Sequence, residues 1–313
     1  SLFQELERLS GVSKAEIGPD SHLYSDLGLD SLKALELLLF VEHAYAISIP
    51  DEAAPALETA GQVWDEIRKQ SEQELLGGPT RRRQSTNSIE GRSGGSRLLR
   101  GLTCATLRVF YKRYFHLRLV NGERLPRQGA YVIAANHSSH LDTGAVIAAL
   151  SQAMGTGQAL RLHVTAARDY FFAKRWKGWL FSALLNVVPM EREEVSLGGL
   201  RQVRAILSAG HPVLIYPEGT RSRDGRIQEF KAGLGLISLQ LEVPIIPVRI
   251  DGTHTALPPG TVIPRPEPLK ITVGRPVEMQ GYRLAAETLS TDVVYRQIAT
   301  DVRQKIISLA EEK

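Results

Sequence analysis

The stretch Ala130-Tyr131-Val132-Ile133-Ala134-Ala135-Asn136-His137-Ser138-Ser139-His140-Leu141-Asp142 decides how the larger part of this 313-residue chain folds. Its first six residues form a short apolar run with Tyr, Val and Ile, bounded by turn residues, which reads as a buried strand. Polar and titratable residues follow at once, so the strand ends in a loop able to carry chemistry. Val213–Tyr216 (stopped by Pro217), Ile245–Ile250 and Leu269–Val273 repeat the strand signal. Helical patterns lie between them, at Leu197–Ala209 and Lys231–Leu241. Such alternation predicts an α/β domain around a central sheet.

Residues 1–76 read differently, as a small helical bundle. Leu2, Leu6 and Leu9 give a first helix its apolar stripe. A long loop follows, to Leu29. Asp30 then stands where an N-cap belongs, and Ser31 opens a helix over Leu32–Tyr45. Thr59-Ala60-Gly61-Gln62-Val63 leads into a last helix. Between the two parts, residues 77–96 are rich in Gly, Ser, Thr and Arg, which predicts a flexible linker. The expected division is therefore 1–76, a linker at 77–96, and 97–313.

The overall charge of +4 conceals an asymmetry. Residues 1–78 carry a net −10 and the remainder +14, so an acidic module is tied to a basic one, which suggests docking in cis. The single cysteine, Cys104, excludes an intramolecular disulfide framework and fits a reducing compartment. No His and Cys cluster has zinc spacing, so no metal is expected. No Gly-x-Ser-x-Gly elbow appears, which argues against a serine hydrolase. The most apolar stretch, Gly178–Met190, is shorter than the roughly 20 residues a spanning helix needs. Arg97–His116 reads as a basic amphipathic helix, with Arg97, Arg100, Arg108 and Lys112 inside an arc of about 120°. Such a helix can lie on an anionic membrane or pack on its own domain.

Two resemblances sharpen this reading. Leu27-Gly28-Leu29-Asp30-Ser31-Leu32, with Ile49-Pro50 and the Thr59–Val63 pattern, resembles acyl carrier proteins over about 75 residues. The resemblance implies a 4′-phosphopantetheine arm on Ser31, with Glu36 and Glu42 on the docking helix. Further on, four blocks in order resemble the lysophosphatidate and glycerol-phosphate acyltransferases. They are Asn136-His137 through Asp142, Val188-Pro189-Met190-Glu191-Arg192, Pro217-Glu218-Gly219-Thr220-Arg221, and Val243-Pro244-Ile245-Ile246-Pro247-Val248. The second block departs from the family's usual Ile-Asp or Val-Asp before its arginine.

The implied fold is a small all-α four-helix carrier bundle followed by an α/β acyltransferase domain with a central mixed sheet. The implied catalytic pair is His137 as general base and Asp142 as its orienting partner. Glu218, Gly219 and Thr220 would bind the acceptor, and Arg192 and Arg221 its phosphate, a task suited to a forked guanidinium. Both arginines could instead serve in structural ion pairs, and His140 is the internal competitor of His137. The activity implied is transfer of a fatty acyl group from a thioester to the hydroxyl of a lysophosphatidate-like acceptor. The donor is either the fused carrier or acyl-coenzyme A, in which case the carrier serves another enzyme. A membrane-docked carrier platform without catalysis is a third reading.

Implied partners are a lysophospholipid acceptor, a phosphopantetheinyl transferase and a membrane surface, with no nucleic acid. Carrier–transferase pairs also resemble pieces of larger proteins that hold an adenylating acyl ligase, and a chain beginning at Ser1 without Met fits such a piece. The expected location is cytoplasmic, peripheral to the inner face of the membrane.

Overall fold

The computed structural model describes residues 1–76, 94–167, 186–190 and 197–312. The N-terminal bundle consists of α1 (Leu2–Ser10), α2 (Ser31–Tyr45) and α3 (Ala60–Leu76), with a single 3-10 turn at Ala54–Ala56 as the short fourth element. Its core is the expected leucine stripe. Leu2 and Leu6 are fully buried, against Leu23, Leu37, Val41, Ile49 and Val63. Asp30 caps α2, its carboxylate accepting the Lys33 N–H at 2.9 Å.

The α/β domain opens with α4 (Gly94–Tyr114), which starts inside the expected 77–96 linker; residues 77–93 lie outside the described residues. There follow β1 (Arg118–Val120), β2 (Val132–Ala135), α5 (Asp142–Met154), α6 (Thr156–Ala159), β3 (His163–Ala167), β4 (Asn186–Met190) and α7 (Leu197–Ser208). Then come β5 (Val213–Ile215), α8 (Gly233–Gln240), β6 (Ile245–Asp251), α9 (Thr253–Ala256), β7 (Lys270–Val273), α10 (Gln280–Ala285) and α11 (Thr291–Ser308).

The strands form one seven-stranded sheet in the order β1-β7-β6-β2-β5-β3-β4. All neighbours are parallel except β6 and β7, so the sheet is mixed. Strand β2 lies at its centre, between β5 and β6, and is buried on both faces. Successive side chains alternate between two cores, as the pleat requires. Ile133 and Ala135 join Leu214, Ile246 and Val248 beneath α4 and α5. Val132 and Ala134 join Val213 and Ile245 beneath α7, α8 and α11. The sheet is therefore covered on both sides, and its reactive loops emerge at the C-terminal edge of the parallel strands.

The bundle rests on this domain. Leu32, Leu35 and Leu39 of α2 pack on the core beneath α7, α8 and α11, and Leu197 of α7 is buried in the bundle's own core. The docking in cis suggested by the charge asymmetry is thus realised through α2.

Candidate active site

Two constraints build the site at the end of β2. Asn136 locks the strand end to β6: its Nδ2 donates to the Ile250 carbonyl at 2.9 Å and its Oδ1 accepts the Ile250 N–H at 2.8 Å. The chain then turns through His137 to Leu141, and Asp142 begins α5. A spacing of five between His137 and Asp142 cannot share one helical face. It works here because the histidine sits on the loop and the aspartate on the first helical turn.

The Asp142 carboxylate is completely buried. Its Oδ2 accepts the Ser138 N–H at 2.7 Å and the Ser139 N–H at 2.8 Å, and meets His137 Nδ1 at 2.8 Å. Three donors on one oxygen fix it at the helix N-terminus, where negative charge is favoured. An ionised carboxylate only accepts, so the neutral imidazole carries its proton on Nδ1 and turns the Nε2 lone pair outward. The His137 ring also stacks on Tyr216, with centroids 4.0 Å apart and planes 16° off parallel. Tyr216 is held in turn by Thr143, hydroxyl to hydroxyl at 3.0 Å. Burial pushes the Tyr216 phenol well up, so it stays neutral under the base.

The loop after β5 closes the other side. Glu218 Oε1 accepts the His137 N–H at 2.7 Å, and its Oε2 accepts the Gln228 N–H at 3.1 Å. The Ser222 N–H donates to the His137 carbonyl at 2.8 Å. Burial raises the Glu218 pKa, and the two N–H bonds pull against that rise without cancelling it. Gly219 adopts φ +75°, a left-handed conformation that favours a glycine at this turn. Thr220 and Arg221 are exposed at the mouth. Arg221 Nη1 lies against His140 Nε2. Burial, the Arg221 cation and His137 hold the His140 pKa below its ordinary value. His140 is therefore the partner of Arg221, whereas His137 is the partner of Asp142.

The structure thus brings His137, Asp142, Glu218, Gly219, Thr220 and Arg221 to one strand edge. Arg192 lies outside the described residues. Two participants escaped the sequence reading. Tyr216 carries no sequence signal for its stack, and Asn136 showed only as part of a motif, not as the clamp on β6. Ser31 is exposed at the first position of α2, and its hydroxyl makes no hydrogen bond among the described residues. A phosphodiester there would meet a helix N-terminus, so the position fits such a group.

Helix α4 corrects one expectation. Arg100 does not face outward with Arg108 and Lys112; it turns inward and bonds Asn186. The exposed surface of α4 joins apolar Leu98, Leu102, Val109 and Phe110 to basic Arg108, Lys112 and Arg113. Val262 and Ile263, at 89% and 83% exposure, stand on a loop joined to α4 by the Tyr114 hydroxyl donating to the Pro264 carbonyl. Among the described residues no helix is long and apolar enough to cross a membrane, and no group of His, Cys, Asp or Glu could hold a metal ion.

Comparison with known proteins bears on each half of the chain. Residues 116–251 match the Acyltransferase family model, and residues 1–65 match the model of the phosphopantetheine attachment site. A 1-acyl-sn-glycerol-3-phosphate acyltransferase of Limnanthes douglasii is 41% identical over 80 residues, covering 26% of this chain and 28% of that protein. A chloroplastic 1-acyl-sn-glycerol-3-phosphate acyltransferase of Brassica napus is 30% identical over 132 residues, covering 42% and 35%. The chain spans about a third of the length of these curated relatives. The crystal structure of a 1-acyl-sn-glycerophosphate acyltransferase from Thermotoga maritima superposes with a TM-score of 0.49 at 22% identity, covering 67% of this chain and 80% of that one. The chain therefore joins a phosphopantetheine-attachment domain to a domain of the acyltransferase family.

Proposed function

We propose that this chain transfers a fatty acyl group from a thioester carried at Ser31 to the hydroxyl of a lysophosphatidate-like acceptor, for phospholipid synthesis. One observation carries the reading: an oriented His137–Asp142 pair and an exposed, unbonded Ser31 hydroxyl occur in the same chain. Domain limits of 1–76 and 97–313, joined by 77–96, belong to this proposal.

Ser31 would hold the 4′-phosphopantetheine arm, which supplies an activated acyl carbonyl and a good thiol leaving group. His137 Nε2 takes the proton of the acceptor hydroxyl as its oxygen attacks the thioester carbonyl. The C–O bond forms, the C–S bond breaks, and His137 returns the proton to the departing sulfur. Asp142 holds the tautomer and stabilises the imidazolium formed in between. No covalent enzyme intermediate and no metal are required. Glu218 positions the base through the His137 N–H and, with Gly219 and Thr220, borders the acceptor's glycerol. Arg221, and Arg192 by its place in the second block, would take the phosphate. Loading would require a phosphopantetheinyl transferase and an acyl-activating ligase.

A lysophosphatidate-like acceptor would reside in a membrane, and the exposed apolar rim supports arrival from a lipid surface. Helix α4 and the 262–263 loop would lie on the lipid surface, with Arg108, Lys112 and Arg113 toward anionic headgroups. Tyr111 ties that helix to the active loop by donating to the Leu141 carbonyl at 2.8 Å. Attachment would be peripheral, on the inner face of the membrane.

The deciding experiment loads Ser31 with a phosphopantetheinyl transferase and an acyl group, adds lysophosphatidate, and follows the acyl group by mass spectrometry. Phosphatidate formed at the expense of acyl-Ser31 is the expected result. An acyl group that stays on Ser31 while acyl-coenzyme A is consumed would show that the carrier serves another enzyme.

A further inference from the structure

Helix α2 crosses α7, α8 and α11 through a set of polar contacts whose sign alternates. At its N-terminal end, Lys33 faces Asp292 at 3.7 Å and Asp30 faces Arg296 at 3.3 Å. In the middle, the buried Glu36 accepts from Gln240 at 3.1 Å and from the Thr291 hydroxyl at 3.0 Å, beside its own domain's Arg8 at 2.6 Å. At the far end, Arg201 spends its whole guanidinium on the bundle. It takes Glu42 through Nε at 2.9 Å and Nη2 at 2.8 Å, Asp51 through Nη1 at 3.0 Å, and the Ile49 carbonyl. Gly198 leaves room for this approach, since a Cβ there would run into the Asp51 carboxylate.

We propose that this face of the α/β domain is a holding seat for the chain's own carrier domain, which keeps Ser31 back from the catalytic edge and limits delivery of its acyl group. The proposal rests on the acyl-transfer reading above. Two helices serve as measuring rods. Near its C-terminal end, α11 reaches the catalytic loop: Arg303 donates to the carbonyls of Ile227 and Gln228, and Gln228 binds Glu218. The residue beside Ser31 is instead met by Arg296, roughly 10 Å back along the helix axis. Helix α8 repeats the measurement. It follows Lys231, whose N–H bonds the Pro217 carbonyl, and it ends at Gln240, which bonds Glu36 about 12 Å further on. Gln240 lies just before β6 begins, whereas His137 lies just after β2 ends. Ser31's helix thus rests towards the N-terminal edge of the sheet, and the base hangs from the C-terminal edge.

The seam is also built to part. An open groove of about 310 Å³ runs along it, lined by Leu39, Phe40 and Leu200 and by the polar Glu5, His43 and Arg204. Solvent therefore reaches part of the seam, which is less completely closed than a domain core. Several of its charges are partly exposed and therefore open to screening by salt. The alternating signs set which carrier fits, and which way round. A uniformly acidic helix would place a carboxylate against Asp292.

The test uses the full chain. Zero-length carbodiimide coupling of Lys33 to Asp292, read by mass spectrometry, reports the seated state. Single-turnover transfer from acyl-Ser31 to lysophosphatidate reports delivery. Wild type should couple at low ionic strength and lose most coupling at roughly 1 M salt, where the screening length is about 3 Å. Arg201→Glu by charge and Gly198→Leu by bulk should each cut coupling at least fivefold, while transfer becomes faster. Combining Arg201→Glu with Glu42→Arg should restore coupling. Transfer that falls in step with coupling would make the seat a delivery position and overturn the proposal, as would unchanged transfer or a wild-type chain that does not couple. Normal coupling with no transfer from acyl-Ser31 in wild type would instead bring down the acyl-transfer reading, and the holding role with it.

Discussion

Ser31 and His137 are made reactive in opposite ways. Ser31 owes its position to its neighbours in sequence: Asp30 caps the helix that Ser31 begins, and its hydroxyl stays exposed. His137 owes its position to residues brought in from other strands and loops. Asp142 orients its ring, Glu218 holds its N–H, Ser222 holds its carbonyl, Tyr216 stacks on it, and Asn136 ties the strand beneath it to Ile250. An attachment point must be accessible to a separate enzyme, so a local, exposed design suffices. A base must keep one tautomer beside an excluded carboxylate, and that takes a sheet edge with loops from several strands.

The comparison can be broken at its strongest points first. Ser31→Ala should abolish attachment of the phosphopantetheine arm completely, seen as absence of the mass increase, while transfer from acyl-coenzyme A, if present, is untouched. His137→Ala should do the reverse, reducing transfer by about 10²–10⁴-fold in single-turnover assays with Ser31 still loaded normally. A His137→Ala protein that keeps its transfer rate would remove the base assignment. The lipid-facing rim should show a smaller effect. Replacing Val262 and Ile263 together by Asp should weaken binding to anionic vesicles about tenfold or more, given the apolar burial lost, with little change in folding because both side chains are solvent-exposed.

Two milder changes sharpen the contrast between local and tertiary construction. Asp30→Ala removes the α2 cap together with the exposed Asp30–Arg296 contact, and should cost about 1 kcal/mol of stability in denaturant titration, most of it from the cap. His140 tests the other site through pH. Its folded pKa lies below the ordinary 6.5, so the unfolded chain binds the extra proton first. Stability should be flat above pH 6.5 and fall as pH drops from there toward the folded value. His140→Gln should remove that slope from the melting temperature.

The legible and illegible parts separate along the same line. Strands β2, β5, β6 and β7 showed in the sequence because each is a compact apolar run bounded by turn residues. Strands β1, β3 and β4 did not: Arg118–Val120 is three residues long, and His163–Ala167 and Asn186–Met190 lie towards one side of the sheet with polar residues in them. The His137–Asp142 pair was legible as a motif, since loop and helix start are both readable there. The Tyr216 stack was not, because a ring-on-ring contact between two strand ends leaves no spacing to detect. Arg100 misled for a related reason. Helical periodicity groups it with Arg97, Arg108 and Lys112, but only Asn186, 86 residues away, decides that it turns inward.

By itself the sequence determined two modules, their opposite charges, a capped serine at a helix start and a strand-end histidine five residues before an aspartate, because each of these rests on neighbouring residues and short-range periodicity. The tertiary structure alone decided that Glu218 would hold the base from another strand, that α4 would show solvent apolar residues beside its basic ones, and that α2 would settle on α7, α8 and α11 towards the sheet edge opposite His137. Those outcomes depend on which surfaces meet across the fold, and a contact between distant residues is set by packing and charge pairing that no local pattern encodes.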